Sequence, residues 1–204
     1  MKDYPAISRD IQFGLPVYAF DKLDGSNIRA EWTRKHGFNK FGSRKRLLGT
    51  DQEFLPEAIR LVKDNFEEQL AKIFVKQRFD RVMCFFEFYG ENSFAGVHVK
   101  EPHRVVLFDV NPYKKGIMFP REFLSLFGHL DIPRLLHQGN CTHPFVDSVK
   151  NNSLEGLTSE GVVCKAPGKG KMSLPIMFKV KTEQWITKLK TYCGDDERLF
   201  RELL

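Results

Sequence analysis

The chain has 204 residues, 42% of them hydrophobic and 28% charged with both signs interspersed, which suits a soluble globular protein with a core of its own. Its net charge of +6 is compatible with a polyanionic partner, although an ordinary basic surface would give the same figure. No apolar run approaches a membrane span, the first ten residues carry no secretory pattern, and the four cysteines are far apart with no C-x-x-C. The expectation is therefore an intracellular, soluble protein with reduced thiols and no membrane partner.

In chain order, residues 16–20 and 27–32 alternate as strands, with Ile28, Ala30 and Trp32 on one face, separated by a turn-rich Lys22 to Ser26. Lys22 thus falls at a strand end or in a short exposed connection. Lys and Arg concentrate over 34–46, 113–115 and 165–190. From Glu53 to Gln77, Ile59, Val62, Phe66, Leu70, Ile73 and Phe74 recur at three- and four-residue steps, which predicts one long amphipathic helix. Residues 81–89 and 104–110 are β-branched and aromatic runs that read as buried strands. A helix is predicted from Pro120, turning Phe123, Leu124 and Phe127 inward, then strands at 161–165 and 176–181. The final stretch, 182–204, reads as helix broken around Cys193 to Asp195. With no internal repeat or Gly/Ser linker, these elements predict a single α+β domain over 1–204, with mostly antiparallel strands flanked by helices.

Asp21-Lys22-Leu23-Asp24-Gly25-Ser26-Asn27 is the most informative segment. Alone, its K-x-D-G arises by chance in roughly one chain in 25 of this length. The weight comes from an ordered series of downstream segments: Arg44 within Phe41-Gly42-Ser43-Arg44, Glu87 at the end of one strand and Phe108-Asp109 at the end of the next. Glu160-Gly161-Val162-Val163-Cys164-Lys165 and Phe178-Lys179-Val180-Lys181 complete the set. Taken singly, each reads equally well as a solvated strand end or a surface cation. The six histidines form no ligand-spaced cluster, so a metal is expected to arrive with a substrate. Gly168-Lys169-Gly170-Lys171-Met172-Ser173 lacks P-loop spacing and reads as a hairpin connection able to touch a nucleic-acid backbone.

As an ordered set spanning Lys22 to Lys181, these segments resemble motifs I, Ia, III, IIIa, IV and V of the covalent nucleotidyltransferase superfamily of polynucleotide ligases and mRNA capping enzymes. Gly25-Ser26-Asn27 is similar to the G-[ST]-N of the RNA ligase 2-like branch, where other branches place an arginine at the position of Asn27. The resemblance implies a two-sheet, ATP-grasp-like nucleotidyltransferase fold and an ATP-dependent RNA ligase. In it Lys22 takes AMP from ATP and hands it to a 5′-phosphate, and a 3′-hydroxyl then displaces AMP. It implies catalytic roles for Lys22, Arg44, Glu160, Lys179 and Lys181. Nucleotide contacts are implied for Lys22, Asp24, Gly25, Asn27, Arg44, Glu87, Phe108, Asp109, Lys179 and Lys181. Glu160 and Glu87 are hard oxygen donors suited to Mg²⁺ or Mn²⁺, and the resemblance also offers Glu87 for the ribose hydroxyls. Since a free lysine is almost wholly charged at neutral pH, Lys179, Lys181 and Arg44 are expected to lower the pKa of Lys22.

Three departures qualify the match. Asp21 stands where such ligases often have Glu, a difference expected to bear on contacts to the base. No counterpart of motif VI is identifiable. Only 182–204 come after the last motif, which leaves no room for an appended OB domain and allows a partner protein to supply the grip on nucleic acid. RNA ends, possible as a nicked duplex, are the expected substrate. A DNA nick-sealing ligase, a GTP-dependent capping enzyme and a non-catalytic binding module are the alternatives.

Overall fold

A computed structural model describes residues 1–43, 55–91, 98, 100–168 and 175–204. The first two strands, β1 (Pro16–Lys22) and β2 (Ser26–Thr33), are followed by β3 (Gly37–Ser43) and the long helix α1 (Leu55–Lys76). Next come β4 (Arg81–Tyr89), β5 (Arg104–Pro112), α2 (Pro120–Phe127), β6 (Leu135–Asn140) and α3 (His143–Lys150). The chain closes with β7 (Gly161–Lys165), β8 (Met177–Lys181), α4 (Glu183–Cys193) and α5 (Glu197–Leu203). The strands form two four-stranded sheets, β6-β1-β7-β8 and β3-β2-β4-β5, and every named pair is antiparallel. This is the expected α+β architecture.

The second sheet, β3-β2-β4-β5, holds the larger core. Helix α1 buries Ala58, Val62, Phe66, Leu70 and Phe74, a stripe at four-residue steps that turns one face onto Phe86 and its neighbours. Ile59, part of the predicted stripe, lies only half-buried at its margin. Helix α2 begins with Pro120 at its first turn and adds Phe123 and Phe127 to the same core, with Leu124 half-buried beside them. The first sheet, β6-β1-β7-β8, packs a smaller set, including Val17, Ala19, Val162 and Val180, against α3.

Three elements are absent from the sequence reading: β3, β6 and α3. Strands β3 and β6 lie at sheet edges, so their side chains alternate weakly between core and solvent. Helix α3 is eight residues long and carries only Phe145, Val146 and Val149 inward, too short for its period to stand out. The four cysteines are buried and unpaired. No helix among the described residues is long and apolar enough to cross a membrane.

Candidate active site

Strand β1 ends on Lys22, and sheet register decides what that lysine meets. Lys22 pairs with Gly161 of β7, and Gly161 pairs in turn with Lys181 of β8, so three backbones share one row. Glu160, one residue before Gly161, sends a carboxylate oxygen to 2.9 Å from Lys22 Nζ and the other to 2.9 Å from Lys181 Nζ. The close approach needs a glycine at 161: its φ of +141° lies in the glycine region, and a Cβ there would strike the Val180 carbonyl and lie 2.8 Å from Lys181 Cα.

Two side chains fix the segment that delivers Glu160. The Asp21 carboxylate accepts from the Thr158 backbone N–H at 3.1 Å and from the Thr158 hydroxyl, with Arg134 3.7 Å away. Thr182 donates its backbone N–H to the Glu160 carbonyl at 3.1 Å and its hydroxyl to the Ser159 carbonyl at 2.7 Å. The same hydroxyl accepts from Trp185 N–H at 3.1 Å and so caps α4. Asp21, flagged for contacts to a base, is thus also committed to the loop that carries Glu160.

The second sheet supplies the facing wall. Asn27 of β2 pairs with Glu87 of β4, and the Gly25 backbone N–H reaches the Glu87 carboxylate. Gly25 presses the β1–β2 turn onto β4 so tightly that a Cβ would strike the Phe88 carbonyl and stand 2.9 Å from Tyr89 Cβ. Between the sheets lies a cavity of about 440 Å³. Its charged part is lined by Lys22, Asp24, Glu87, Glu160, Lys179 and Lys181, and its aromatic part by Tyr4, Phe20, Phe108 and Trp185, with Lys165 also in the lining. Gly25 and Asn27 line it as well.

Phe108 is half-buried in β5, with the Tyr4 ring edge-on at 5.0 Å. Asp109 is wholly buried behind it and is not among the cavity-lining residues. Its carboxylate pairs with Lys165 Nζ at 2.8 Å and accepts from the Tyr4 hydroxyl, while Lys165 also donates to the Phe108 carbonyl at 2.9 Å. In this position Asp109, expected to contact the nucleotide, anchors the residues that frame Phe108. Tyr4, Lys165 and Trp185 are cavity residues that the sequence reading did not assign. Lys165 ends the Glu160 segment and could have been found there, whereas Tyr4 and Trp185 carry no local signal. Arg44, and 169–174 of the lysine-rich connection, lie outside the described residues.

The electrostatics revise one expectation. Burial alone would lower the Lys22 pKa, but the carboxylates of Glu160, Glu87 and Asp24 outweigh it, and the net shift is upward. The resting amine is an ammonium, not the depressed base expected from neighbouring cations. Burial instead draws Lys181 down to about 8 against the pull of Glu160, and burial with the Lys181 and Lys22 charges draws Lys179 to about 8. Burial also lifts Glu87 to about 8, opposed by Lys22 and reinforced by Glu160 and Asp24.

Among the described residues, no three His, Cys, Asp or Glu groups gather as a metal cage. Of the two carboxylates, Glu160 is the one that could hold a cation shared with a ligand's phosphates, since both its oxygens already face cationic groups.

Two antiparallel sheets enclosing a cavity with a strand-end lysine define the nucleotidyltransferase fold of ligases. The chain belongs to the RNA ligase family, whose profile matches residues 15–181. Among solved structures, it is similar to a point mutant of the Naegleria gruberi RNA ligase with ATP and Mn (16% identity, 86% of this chain and 52% of that one, TM-score 0.63). It is also similar to an archaeal ATP-dependent RNA ligase (16%, 95% and 52%, TM-score 0.70). A third likeness is to an Aquifex aeolicus protein described as an ATP-dependent DNA ligase (18%, 99% and 57%, TM-score 0.69). At these identities the likeness is one of fold, and the chain spans a little over half the length of each structure. No curated protein sequence matches it.

Proposed function

We propose that this protein is the nucleotidyltransferase domain of an ATP-dependent RNA ligase that works through a Lys22–AMP intermediate. The observation that carries the reading is the single Glu160 carboxylate shared by Lys22 and Lys181 across three registered strands, inside a cavity of nucleotide size. Membership of the RNA ligase family and a fold like that of ligases holding ATP and Mn support it.

The chemistry follows from the arrangement. Lys22 loses its proton to solvent as the nucleotide enters, and the amine, held by Glu160 at 2.9 Å, attacks the α-phosphorus of ATP. An N–P bond forms, the bond to pyrophosphate breaks, and Lys179 and Lys181 meet the charge that collects on the leaving oxygens. A divalent cation, Mg²⁺ or Mn²⁺, held by Glu160 together with the phosphates would add positive charge beside the reacting phosphorus. Glu87, raised to about 8 and therefore largely protonated at neutral pH, suits the ribose hydroxyls better than it suits a metal. Phe108 offers its ring to adenine. In the second step an oxygen of the RNA 5′-phosphate attacks the same phosphorus and releases Lys22. In the third a 3′-hydroxyl attacks the 5′-phosphate and expels AMP.

Incubation with α-labelled ATP and Mg²⁺ or Mn²⁺ should leave acid-labile label on the wild type, removed by pyrophosphate and absent from Lys22→Ala. Absence of label with both metals would overturn the covalent mechanism, and label from GTP alone would replace ligation by capping. The comparable likeness to a DNA ligase structure makes DNA the second reading. Nicked duplexes differing only in the sugars beside the nick decide between them.

A further inference from the structure

The Lys181 ammonium is held on three sides. Glu160 Oε1 stands 2.9 Å away, the Leu203 carbonyl of α5 3.4 Å away, and the centroid of the Trp185 ring 3.5 Å away. The lysine is only 8% exposed and lines the cavity, as does Trp185, itself 4% exposed. The placement of the ring is built into the chain. Thr182, directly after Lys181, caps α4, so that Trp185 falls in the first helical turn and folds back over the lysine. Helix α4 has other anchors: Leu189 and Cys193 are buried on the same core, packed by Ile186, Leu199 and Phe200. A tryptophan at 185 is therefore more than the helix requires for docking, and the face of its ring meets a charge.

The carboxylate that pairs with the Lys181 ammonium is also claimed by Lys22, and the hydrogen bond to the Leu203 carbonyl is long at 3.4 Å. The negative face of an indole attracts a cation strongly when both are desolvated, and it does so without accepting a proton or competing for phosphate oxygens. The charges of Lys22 and Asp24 also act on Lys181, and Lys179 lies close enough to be shifted by it.

Resting on the adenylation reading above, we propose that Trp185 is a positioning residue for the transfer of AMP to Lys22, its ring fixing the Lys181 ammonium where charge develops on departing pyrophosphate. The contact acts on the reacting state more than on ATP binding, which the rest of the cavity supplies.

The test changes the ring's electron density without changing its size. With Trp32, buried in the other core, replaced by Phe, tryptophans bearing one, two and three fluorines are placed at 185, and covalent labelling from α-labelled ATP is timed. The rate at saturating ATP should fall stepwise with fluorine number, by about tenfold at three fluorines, while the half-saturating ATP concentration moves less than about twofold. A flat series, or one that changes only half-saturation, overturns the proposal, as neither packing nor nucleotide affinity would follow ring charge in the rate. A readout free of activity accompanies it: the ring current of Trp185 should displace the Lys181 ε-methylene proton resonances upfield, an effect lost in Trp185→Leu. Unshifted resonances in the parent protein overturn the proposal whatever the rates show. Absence of label on the unfluorinated parent, with the ring-current shift present, counts against the ligase reading and leaves the Trp185–Lys181 contact established.

Discussion

Sheet β3-β2-β4-β5 turns Ile28, Trp32, Phe86 and Leu107 into a phenylalanine-rich core beneath α1, whereas sheet β6-β1-β7-β8 spends its strand ends on Lys22 and Lys181 around Glu160. The charged cluster belongs to the sheet with the smaller apolar set. One sheet and its helices supply a rigid wall, and the other carries groups whose buried charges oppose folding unless each has a partner. Substitutions in the two sheets should therefore fail differently.

The sharpest break is Lys22→Ala, for which label from α-labelled ATP is expected to fall to background while the urea midpoint barely moves. Phe86→Ala should do the reverse. Loss of a fully buried ring costs about 3–5 kcal/mol of stability, read as a fall in urea midpoint, with labelling intact in whatever fraction stays folded. Gly161→Ala straddles the comparison, because the added methyl forces β7 and β8 apart beside Glu160. It should cost about 1–3 kcal/mol and slow labelling as well, seen by following both in one preparation.

Phe108→Ala tests whether the rigid wall also binds, with half-saturating ATP expected to rise about tenfold and the saturated rate nearly kept. The smallest effect lies far from the cavity, at Glu31. Burial would raise its carboxyl, but hydrogen bonds from Arg81 and Tyr113, together with the charge of Lys40, hold it below the ordinary value. A carboxylate with a depressed folded pKa adds stability above the ordinary carboxylate range and loses it as pH falls through the folded value. Glu31→Gln should thus be less stable at pH 7 by up to about 1 kcal/mol, with Arg81 partly exposed to solvent. The gap should close as pH drops below about 4 in urea titrations.

How far the sequence could be read depended on how each residue is held. Strands β4 and β7 were legible to their ends because runs such as Val82 to Phe86 are buried on both faces. Helix α1 was legible because one stripe faces one core over 22 residues. Strand β6 was not, since an edge strand reading Leu135-Leu136-His137-Gln138-Gly139-Asn140 has no face that must be apolar. At the site, strand-end residues were placed by motif order, and register brought Lys22, Glu160, Lys179 and Lys181 together. The charge state of Lys22 escaped the sequence because it depends on distances: Glu160 at 2.9 Å, with Glu87 and Asp24, outweighs the effect of burial. Tyr4 and Trp185 escaped because their partners, Asp109 at one and Lys181 at the other, are set by tertiary packing and helix capping.

Thr182 gives the two halves of the site a common pivot. Its backbone N–H and its hydroxyl grip the strand entry that carries Glu160, and the same hydroxyl opens α4. Any tilt of α4 is consequently geared to the carboxylate, as a lever is to its fulcrum. The amide protons of Thr182 and Trp185 should then exchange with solvent as one unit, at a single opening rate.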